Sequence, residues 1–424
     1  MRILACSLLL TAVAFADPRC RFAGSYSQSD LVQNTQVREE FLQKVIQQEA
    51  KFIKEIGYDQ RTGLTLDGQQ INSKTGMPIE SPNRYTSASN EAIHIALLAK
   101  ELNGESDTNM IYTKEEALEI LRKKIQTFER FQIEYPQTPA FPSKIYNNAQ
   151  TESLAVDIEN EVSQQENAKL FWASYGLLEV LESQYFEEVD LISKLRYFKD
   201  SIIRHSVQNI QEDSQNNSKP SNLYESMMYL FADLSDSQMS IMKSKSIPNL
   251  DSQIFGDQHW DMIFLPYQDS REYVKIYKTN LIKWTHEMNQ KELPGLVVYA
   301  NQDMINPSLS TGLFLINKPV ATAWYHSMLS GPAFQTQYGS VNAIHFTGSE
   351  DKFLLEQQSV LGMMGGLSNI VKQRMIKDQV YHKFIQLAEN QSSQVLQPKD
   401  NENNEVTYAL PQADFSNPRE DFIS

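Results

Sequence analysis

Asn90-Glu-Ala-Ile-His-Ile-Ala-Leu-Leu-Ala-Lys-Glu-Leu102 decides the fold. Ala92, Ile93, Ile95, Ala96, Leu97, Leu98 and Ala99 cover nearly the whole circumference of a helix opened by Ser89 or Asn90. Such a helix has no wet face and must be buried on all sides. The helices flanking it read differently. From Leu31 to Tyr58, Val37, Phe41, Val45, Phe52 and Ile56 recur at helical spacing, with Glu39, Lys44, Gln48 and Lys54 around them. Thr113-Lys-Glu-Glu116 is a capping box, and the helix it opens runs to about Phe131 with one stripe of Ala117, Leu121, Ile125 and Phe128. Asn167 to Glu182 is again strongly apolar, and Tyr185 to Asn209 again amphipathic.

Wholly buried and half-buried helices therefore alternate. Further helical segments are Asn222 to Leu234, Ser235 to Lys245, Ser270 to Asn289, Pro319 to Ser330, Lys352 to Met364 and Leu367 to Asn390. Two concentric rings produce this order: an inner ring covered on all sides and an outer ring with one wet face. The expectation is an all-α (α/α)6 toroid over residues 17–390, with a few short strands in its loops. Gly295-Leu-Val-Val-Tyr-Ala300 is the best strand, with others near Leu64 and Ile344.

The ends read as something else. Met1-Arg2, an uncharged run from Ile3 to Ala16 and the small-x-small triplet Ala14-Phe15-Ala16 make residues 1–16 a signal peptide, which places the protein outside the cell or in the secretory lumen. Cleavage leaves Cys20 as the sole cysteine, so the mature chain makes no internal disulfide. Asn216-Asn-Ser and Asn390-Gln-Ser are glycosylation sequons. Residues 391–424 are polar and acidic, without periodicity, and read as a flexible tail.

Charge narrows the partner. A formal net charge of −15 excludes a nucleic-acid partner and argues against anionic polymers, including the uronic acids on which polysaccharide lyases act. A neutral oligo- or polysaccharide fits, and no membrane attachment is expected once the signal is cleaved. The seven histidines form no HExxH or HxxxH pair, so no metal is expected. Neither a phosphate loop nor a GxSxG elbow is present, and no cofactor is expected.

What remains is carboxylates beside aromatics. In Phe255-Gly-Asp-Gln-His-Trp-Asp-Met-Ile-Phe-Leu-Pro-Tyr267, Asp257 and Asp261 lie four residues apart, on one face if the stretch is helical, with His259 and Trp260 between them. Carboxyls handle protons, and an indole stacks on the C–H face of a pyranose. The plainer reading makes Asp257 a cap and Trp260 core. Asp67 lies in the first long loop, and Arg84-Tyr85-Thr-Ser-Ala-Ser-Asn90 closes it. Glu166-Asn167 opens the buried helix of Trp172 and Tyr175. Trp324, Tyr325 and His326 lie on a fourth buried helix, and Glu350, Asp351 and Glu356 begin or line a fifth. In a toroid these starts gather on one face, around a cleft.

Thr62-Gly-Leu-Thr-Leu-Asp67 and Tyr85-Thr-Ser-Ala-Ser-Asn90 resemble the opening of the glucoamylase-like (α/α)6 toroids, among them the secreted endo-β-1,2-glucanases. Pro139-Ala-Phe-Pro-Ser-Lys-Ile-Tyr146 and Glu166-Asn167 to Leu178 continue the likeness. Trp260-Asp261-Met-Ile-Phe-Leu-Pro266 is similar to that group's Phe-Glu-x-Leu-x-Pro segment, one residue longer. Two departures stand out: Tyr338-Gly-Ser-Val-Asn342 replaces Tyr-Gly-Phe-x-Glu, and Gln357-Gln358-Ser359 replaces Asp-Gln-Gly.

The resemblance implies a secreted glycoside hydrolase acting on a neutral β-glucan, with β-1,2 linkage the first candidate. Asp261 is then the general acid, its pKa raised by Trp260 and the apolar run after it, and Glu356 the base. Trp172, Tyr267, Trp324 and Tyr325 would stack on sugars, and Asp67 and Arg84 would bond hydroxyls. Tyr85, Ser89, Asp257, His259 and Trp260 would line the same cleft. The rival reading is a non-catalytic carbohydrate-binding or cell-surface protein that keeps the toroid and lacks its base.

Overall fold

Outer and inner helices alternate as the periodicity expects. The computed structural model describes residues 22–69, 84–104, 110–136, 141, 145–147, 154–156, 163–212, 227–232, 262–298, 301–331, 335–336, 338–341, 344–345, 358–395 and 407–413. The first helices are α1 (Gln28–Gln33), α2 (Thr35–Glu55), α3 (Ala88–Asn103), α4 (Lys114–Glu134), α5 (Gln164–Gln184) and α6 (Val189–Glu212). After them come α7 (Arg271–Gln290), α8 (Ser310–Ile316), α9 (Lys318–Ser330), α10 (Gln358–Met363), α11 (Ser368–Lys377) and α12 (Tyr381–Val395).

Every residue from Glu91 to Leu102 of α3 and from Asn167 to Leu178 of α5 is buried, and the two helices pack side by side. In α4 the buried positions Ala117, Leu121, Ile125 and Phe128 keep one stripe, and the Thr113–Glu116 capping box is formed. Inner helix α10 touches both α3 and α8. Leu367 N–H, just after α10, donates to Ile263 O at 2.7 Å, which brings residues 262–265 to the ring. Phe231 packs on Phe171, Trp172 and Tyr175 of α5, so residues 227–232 lie against the inner ring as well.

Connections from an outer helix to the next inner one are long, and they carry the strands: β1 (Tyr85–Thr86), β2 (Ile145–Asn147), β3 (Leu154–Val156), β4 (Val297–Val298), β5 (Asn301–Ile305), β6 (Gln335–Thr336), β7 (Gly339–Ser340) and β8 (Ile344–His345). The orders are β1-β2-β3, β4-β5-β8 and β6-β7, all antiparallel. The strands expected around 295–300 and near Leu64 and Ile344 appear as β4, a Tyr58–Thr65 bridge and β8. Connections leaving an inner helix are shorter. Among the described residues, the strands therefore lie in connections that lead to the N-terminal ends of inner helices.

Four expectations need correction. The Leu31–Tyr58 helix is two helices, because the Asn34 side chain accepts from Gln36 N–H and Val37 N–H and starts α2 afresh. The Leu367–Asn390 helix is likewise two. Gln379 takes a left-handed φ of 60°, and Val380 N–H returns to Met375 O, a closure that usually signals itself with glycine. The helix of Trp324 and Tyr325, α9, reads as inner but is an outer helix whose exposed side is covered by residues 22–33 and 407–413. The inner position falls to α8, buried from Ser310 to Phe314 and too short for periodicity to reveal.

Nor is the C-terminal stretch a loose tail throughout. Ala409 O accepts from Trp324 Nε1 at 3.0 Å, and Ala409 N–H donates to Thr285 Oγ1 at 3.0 Å. Asn289 bonds both Leu410 O and Gln412 N–H, and Gln28 Nε2 reaches Pro411 O. Residues 407–413 thus strap α1, α7 and α9 together. Alternating polarity gave no sign of this, because the strap is held by its backbone.

A buried carboxyl anchors the β6–β7 hairpin. Glu49 of α2 is 1% exposed, and its Oε1 accepts from Ser340 N–H and Ser340 Oγ, each at 2.6 Å, and from Tyr325 OH at 3.4 Å. Gly339 has φ 108°, and a Cβ there would meet Glu49 Oε2 at 2.3 Å, so only glycine lets the hairpin lie on the carboxyl. Burial raises Glu49 to about 7, against the opposing pull of its Ser340 and Tyr325 bonds.

Two outcomes follow from the strap and the hairpin. A chain ending at Val395 should melt about 5 °C below the full chain, since each lost internal bond contributes ~1 kcal/mol; equal melting temperatures would show that the strap adds nothing. Because the folded-state pKa of Glu49 lies above its ordinary value of 4.5, its contribution is complete below about 4.5 and lost as pH rises through about 7. The melting temperature of Glu49→Gln relative to wild type should therefore climb across that window. A difference that stays flat with pH removes Glu49 as the cause.

Candidate active site

The starts of the inner helices α3 and α5 bring polar side chains together at one end of the pair. The loop after α2 is turned by Asp59, whose Oδ1 accepts from Arg61 N–H at 2.9 Å and Thr62 N–H at 3.2 Å. Gly63, φ 71°, then passes so close to α4 that a Cβ would lie 2.7 Å from Lys124 N. Leu66 N–H returns to Gly57 O, and Thr127 Oγ1 of α4 donates to Thr62 O at 2.8 Å. These bonds deliver Thr65 and Asp67 to the start of α3.

Ser87 caps α3 by accepting from Asn90 N–H. The Asn90 side chain donates to Asp67 Oδ1 at 3.2 Å. Ser89 accepts from Lys169 Nζ of α5 at 3.4 Å and lies near enough to Glu166 to lower its pKa. Ser163 caps α5, and Asn167 clamps Phe141 through both its N–H and its C=O at 2.9 and 2.8 Å. Asp67, Ser89, Asn90, Glu166 and Lys169 thus form one half-exposed polar wall, apart from the buried Lys169 stem. Burial raises the Glu166 pKa most and Asp67 adds to it, while Lys169 and Ser89 pull it down. A partly desolvated acid, a carboxylate, an amide, a hydroxyl and an ammonium therefore share one wall.

Of the residues expected to bind sugar, Asp67 and Ser89 are brought together here. Arg84 is exposed, and Tyr85 is half-buried in β1, where it pairs with Tyr146. The aromatic platforms are not where the sequence reading puts them. Trp172, Tyr267, Trp324 and Tyr325 are each 0% exposed. Trp172 is packed edge-on to Phe171, Tyr175 and Phe231. Tyr267 stacks on Tyr273 with centroids 4.3 Å apart. Trp324 is bonded to the strap, and Tyr325 to Ser340 and Glu49. Stacking on a pyranose needs an open ring face, and none of these has one. Large aromatics in apolar helices are core before they are platforms.

Asp257, His259, Trp260, Asp261 and Glu356 lie outside the described residues, as do Glu350 and Asp351. Gln358 and Ser359, which stand in place of an acidic motif, begin α10 and are buried. Asn90 and Glu166 stand in the sequence as polar helix starts at the cleft, without a sugar-binding role, and Lys169 is not singled out there. The signal was available: Glu166 and Lys169 are an i,i+3 charged pair at the start of an otherwise apolar helix. Among the described residues no cluster of His, Cys, Asp and Glu could hold a metal ion, and no helix is long and apolar enough to cross a membrane.

Known structures share this architecture. An endo-β-1,2-glucanase mutant from Talaromyces funiculosus, in complex with β-1,2-glucan, superposes with a TM-score of 0.77 at 20% identity, covering 96% of this chain and 99% of that one. The Chitinophaga pinensis endo-β-1,2-glucanase, complexed with sophorotriose and glucose, gives 0.59 at 12% identity, covering 83% and 97%. A putative glucoamylase from Bacteroides fragilis gives 0.57 at 12%, covering 84% and 96%. These likenesses establish the toroid. No curated protein matches the chain in sequence. The model of the endo-β-1,2-glucanase SGL family matches residues 64–246 and 297–424, well over half of the chain and including the polar wall. The chain belongs to that family, glycoside hydrolase family GH162, whose members act on β-1,2-glucan.

Proposed function

We propose that the protein is a secreted endo-β-1,2-glucanase that binds its glucan along the wall between α3 and α5 and cleaves it with carboxyl groups from the inner-helix starts. The wall is the observation that carries the reading. A glucose hydroxyl both donates and accepts. Lys169 donates, Asp67 accepts, and Ser89 and Asn90 do both, so the wall matches a neutral polyol rather than an anion. The runs of Met1-Arg2, Ile3 to Ala16 and Ala14-Phe15-Ala16 support export.

Asp261 is the proposed acid and Glu356 the proposed base, on the likeness of Trp260-Asp261-Met-Ile-Phe-Leu-Pro266 and the position of Glu356 just before α10. Asp261 gives its proton to the glycosidic oxygen as the C1–O bond breaks. Glu356 takes a proton from the water whose oxygen bonds to C1. The family match stops at residue 246 and resumes at 297, so Asp261 rests on the motif alone.

Asp261→Asn should lower kcat on β-1,2-glucan by roughly 10²–10⁴-fold and leave oligosaccharide affinity in place, as loss of general acid catalysis requires. Reducing-end release and calorimetric titration with a β-1,2-linked oligosaccharide check both halves. Unchanged turnover removes Asp261 from the mechanism. A wild type that binds the oligosaccharide without cleaving it returns the chain to the rival, binding-only reading.

A further inference from the structure

Beneath the polar wall lies a second, wholly buried set of polar groups. Glu91, on the first turn of α3 beside Asn90, is 0% exposed. Its Oε1 accepts from Thr65 N–H at 2.8 Å, Thr65 Oγ1 at 2.9 Å and Thr86 Oγ1 at 2.7 Å. Its Oε2 is ion-paired with Lys124 of α4, also 0% exposed, and the two threonine hydroxyls touch each other. Thr65 and Thr86 belong to the two ends of the first long loop. Thr65 is two residues before Asp67, and Thr86 lies between Tyr85 and the Ser87 cap. One carboxylate therefore fastens both rims of the loop to the helix whose neighbouring side chain, Asn90, holds Asp67.

We propose that Glu91 is a positioning residue for glucan binding: by clamping Thr65 and Thr86 it fixes Asp67 against Asn90 at the spacing that a glucose unit meets. The inference rests on the wall being the substrate site. Burying a carboxylate and an ammonium together brings little net stability compared with an apolar pair of the same size. What the arrangement adds is direction. Three donors converge on one oxygen, and shifting any of them shifts the loop that presents Asp67. Lys124 pairs with the other carboxyl oxygen, and acceptors engaged in such a pair hold their donors at short, directed distances.

The test separates positioning from stability by kinetics. Thr86→Val removes one hydroxyl and keeps the volume, so it should fold. Glu91→Gln/Lys124→Met removes both charges together and leaves no unpaired one. Each is assayed on β-1,2-glucan well below its melting temperature, beside Asp67→Ala and Thr86→Val/Asp67→Ala, with Asn289→Ala in the strap as the stability control. Thr86→Val and Asp67→Ala should each raise KM about tenfold with kcat within about twofold. The combined variant should be no worse than Asp67→Ala alone, because both changes spoil one contact. Asn289→Ala should lower the melting temperature and leave KM unchanged.

Multiplying KM effects, about a hundredfold in the combined variant, would overturn the positioning role. So would a Thr86→Val protein that melts lower and binds glucan normally. Should Thr86→Val fail to fold, the paired-charge variant carries the test: a normal KM there overturns the inference, and a raised one that Asp67→Ala does not worsen supports it. If Asp67→Ala alone leaves KM unchanged, the wall is not the substrate site, and the reading beneath the inference fails with it.

Discussion

A helix covered on every side has few places for exposed polar side chains other than its ends. That constraint, imposed on α3 and α5 by their mutual packing, organises the molecule. From Glu91 to Leu102 and from Asn167 to Leu178 every residue is buried, so the more exposed hydroxyls, amides and charges collect at Ser87, Ser89, Asn90, Ser163 and Glu166. The unsatisfied amides of the first turn lie there too and draw capping oxygens to the same place. The long outer-to-inner connections arrive at that end. A polar wall facing loops is thus a product of ring polarity before it is a product of any one residue.

Buried carboxyls show how finely the surroundings matter. Glu91 has Lys124 and three donors, and a wholly buried ion pair forms. Glu49 has donors but only neutral described partners, and burial brings its titration to about 7. Glu101 accepts from Ile111 N–H at 2.8 Å, and burial still raises its pKa. Each glutamate secures a loop to a helix, and among the described residues only Glu91 of the three is ion-paired. The ionic one sits under the wall. The titrating one holds the β6–β7 hairpin, where a motif acid is replaced by Asn342.

Much of the ring was legible in the sequence because burial on all sides leaves a period-free apolar run that amphipathic helices do not share. Ala88–Asn103 and Gln164–Gln184 were read nearly to their ends for that reason. Three kinds of information were illegible. Asn34 and Gln379 break helices by side-chain capping and by a left-handed turn without glycine, and neither disturbs the hydrophobic period. Trp324 and Tyr325 were read as cleft aromatics because a covered outer helix has the composition of an inner one. The strap at 407–413 docks through carbonyls and N–H groups, to which side-chain patterning is blind. Within the site, Asp67 and Ser89 stood in motifs, whereas Lys169 reaches Ser89 only once α3 and α5 lie side by side.

The same reasoning explains how the toroid survives at 20% identity to the Talaromyces glucanase while its chemistry is harder to trace. Helix rings need apolar volume at certain positions, and Ala, Leu, Ile and Val exchange there at small cost. A sugar wall needs donors and acceptors at set spacings, which many side chains supply once the backbone is fixed. The binding energy for a glucan then comes from placement more than from residue identity. With Trp172, Tyr267, Trp324 and Tyr325 committed to the core, the polar wall offers the proposed glucan hydrogen bonds in place of those four rings. Hydrogen bonds lose their value within a few tenths of an ångström of misplacement. A face built this way must be held rigidly from below, and the element that reaches both rims of its loop is the carboxylate of Glu91.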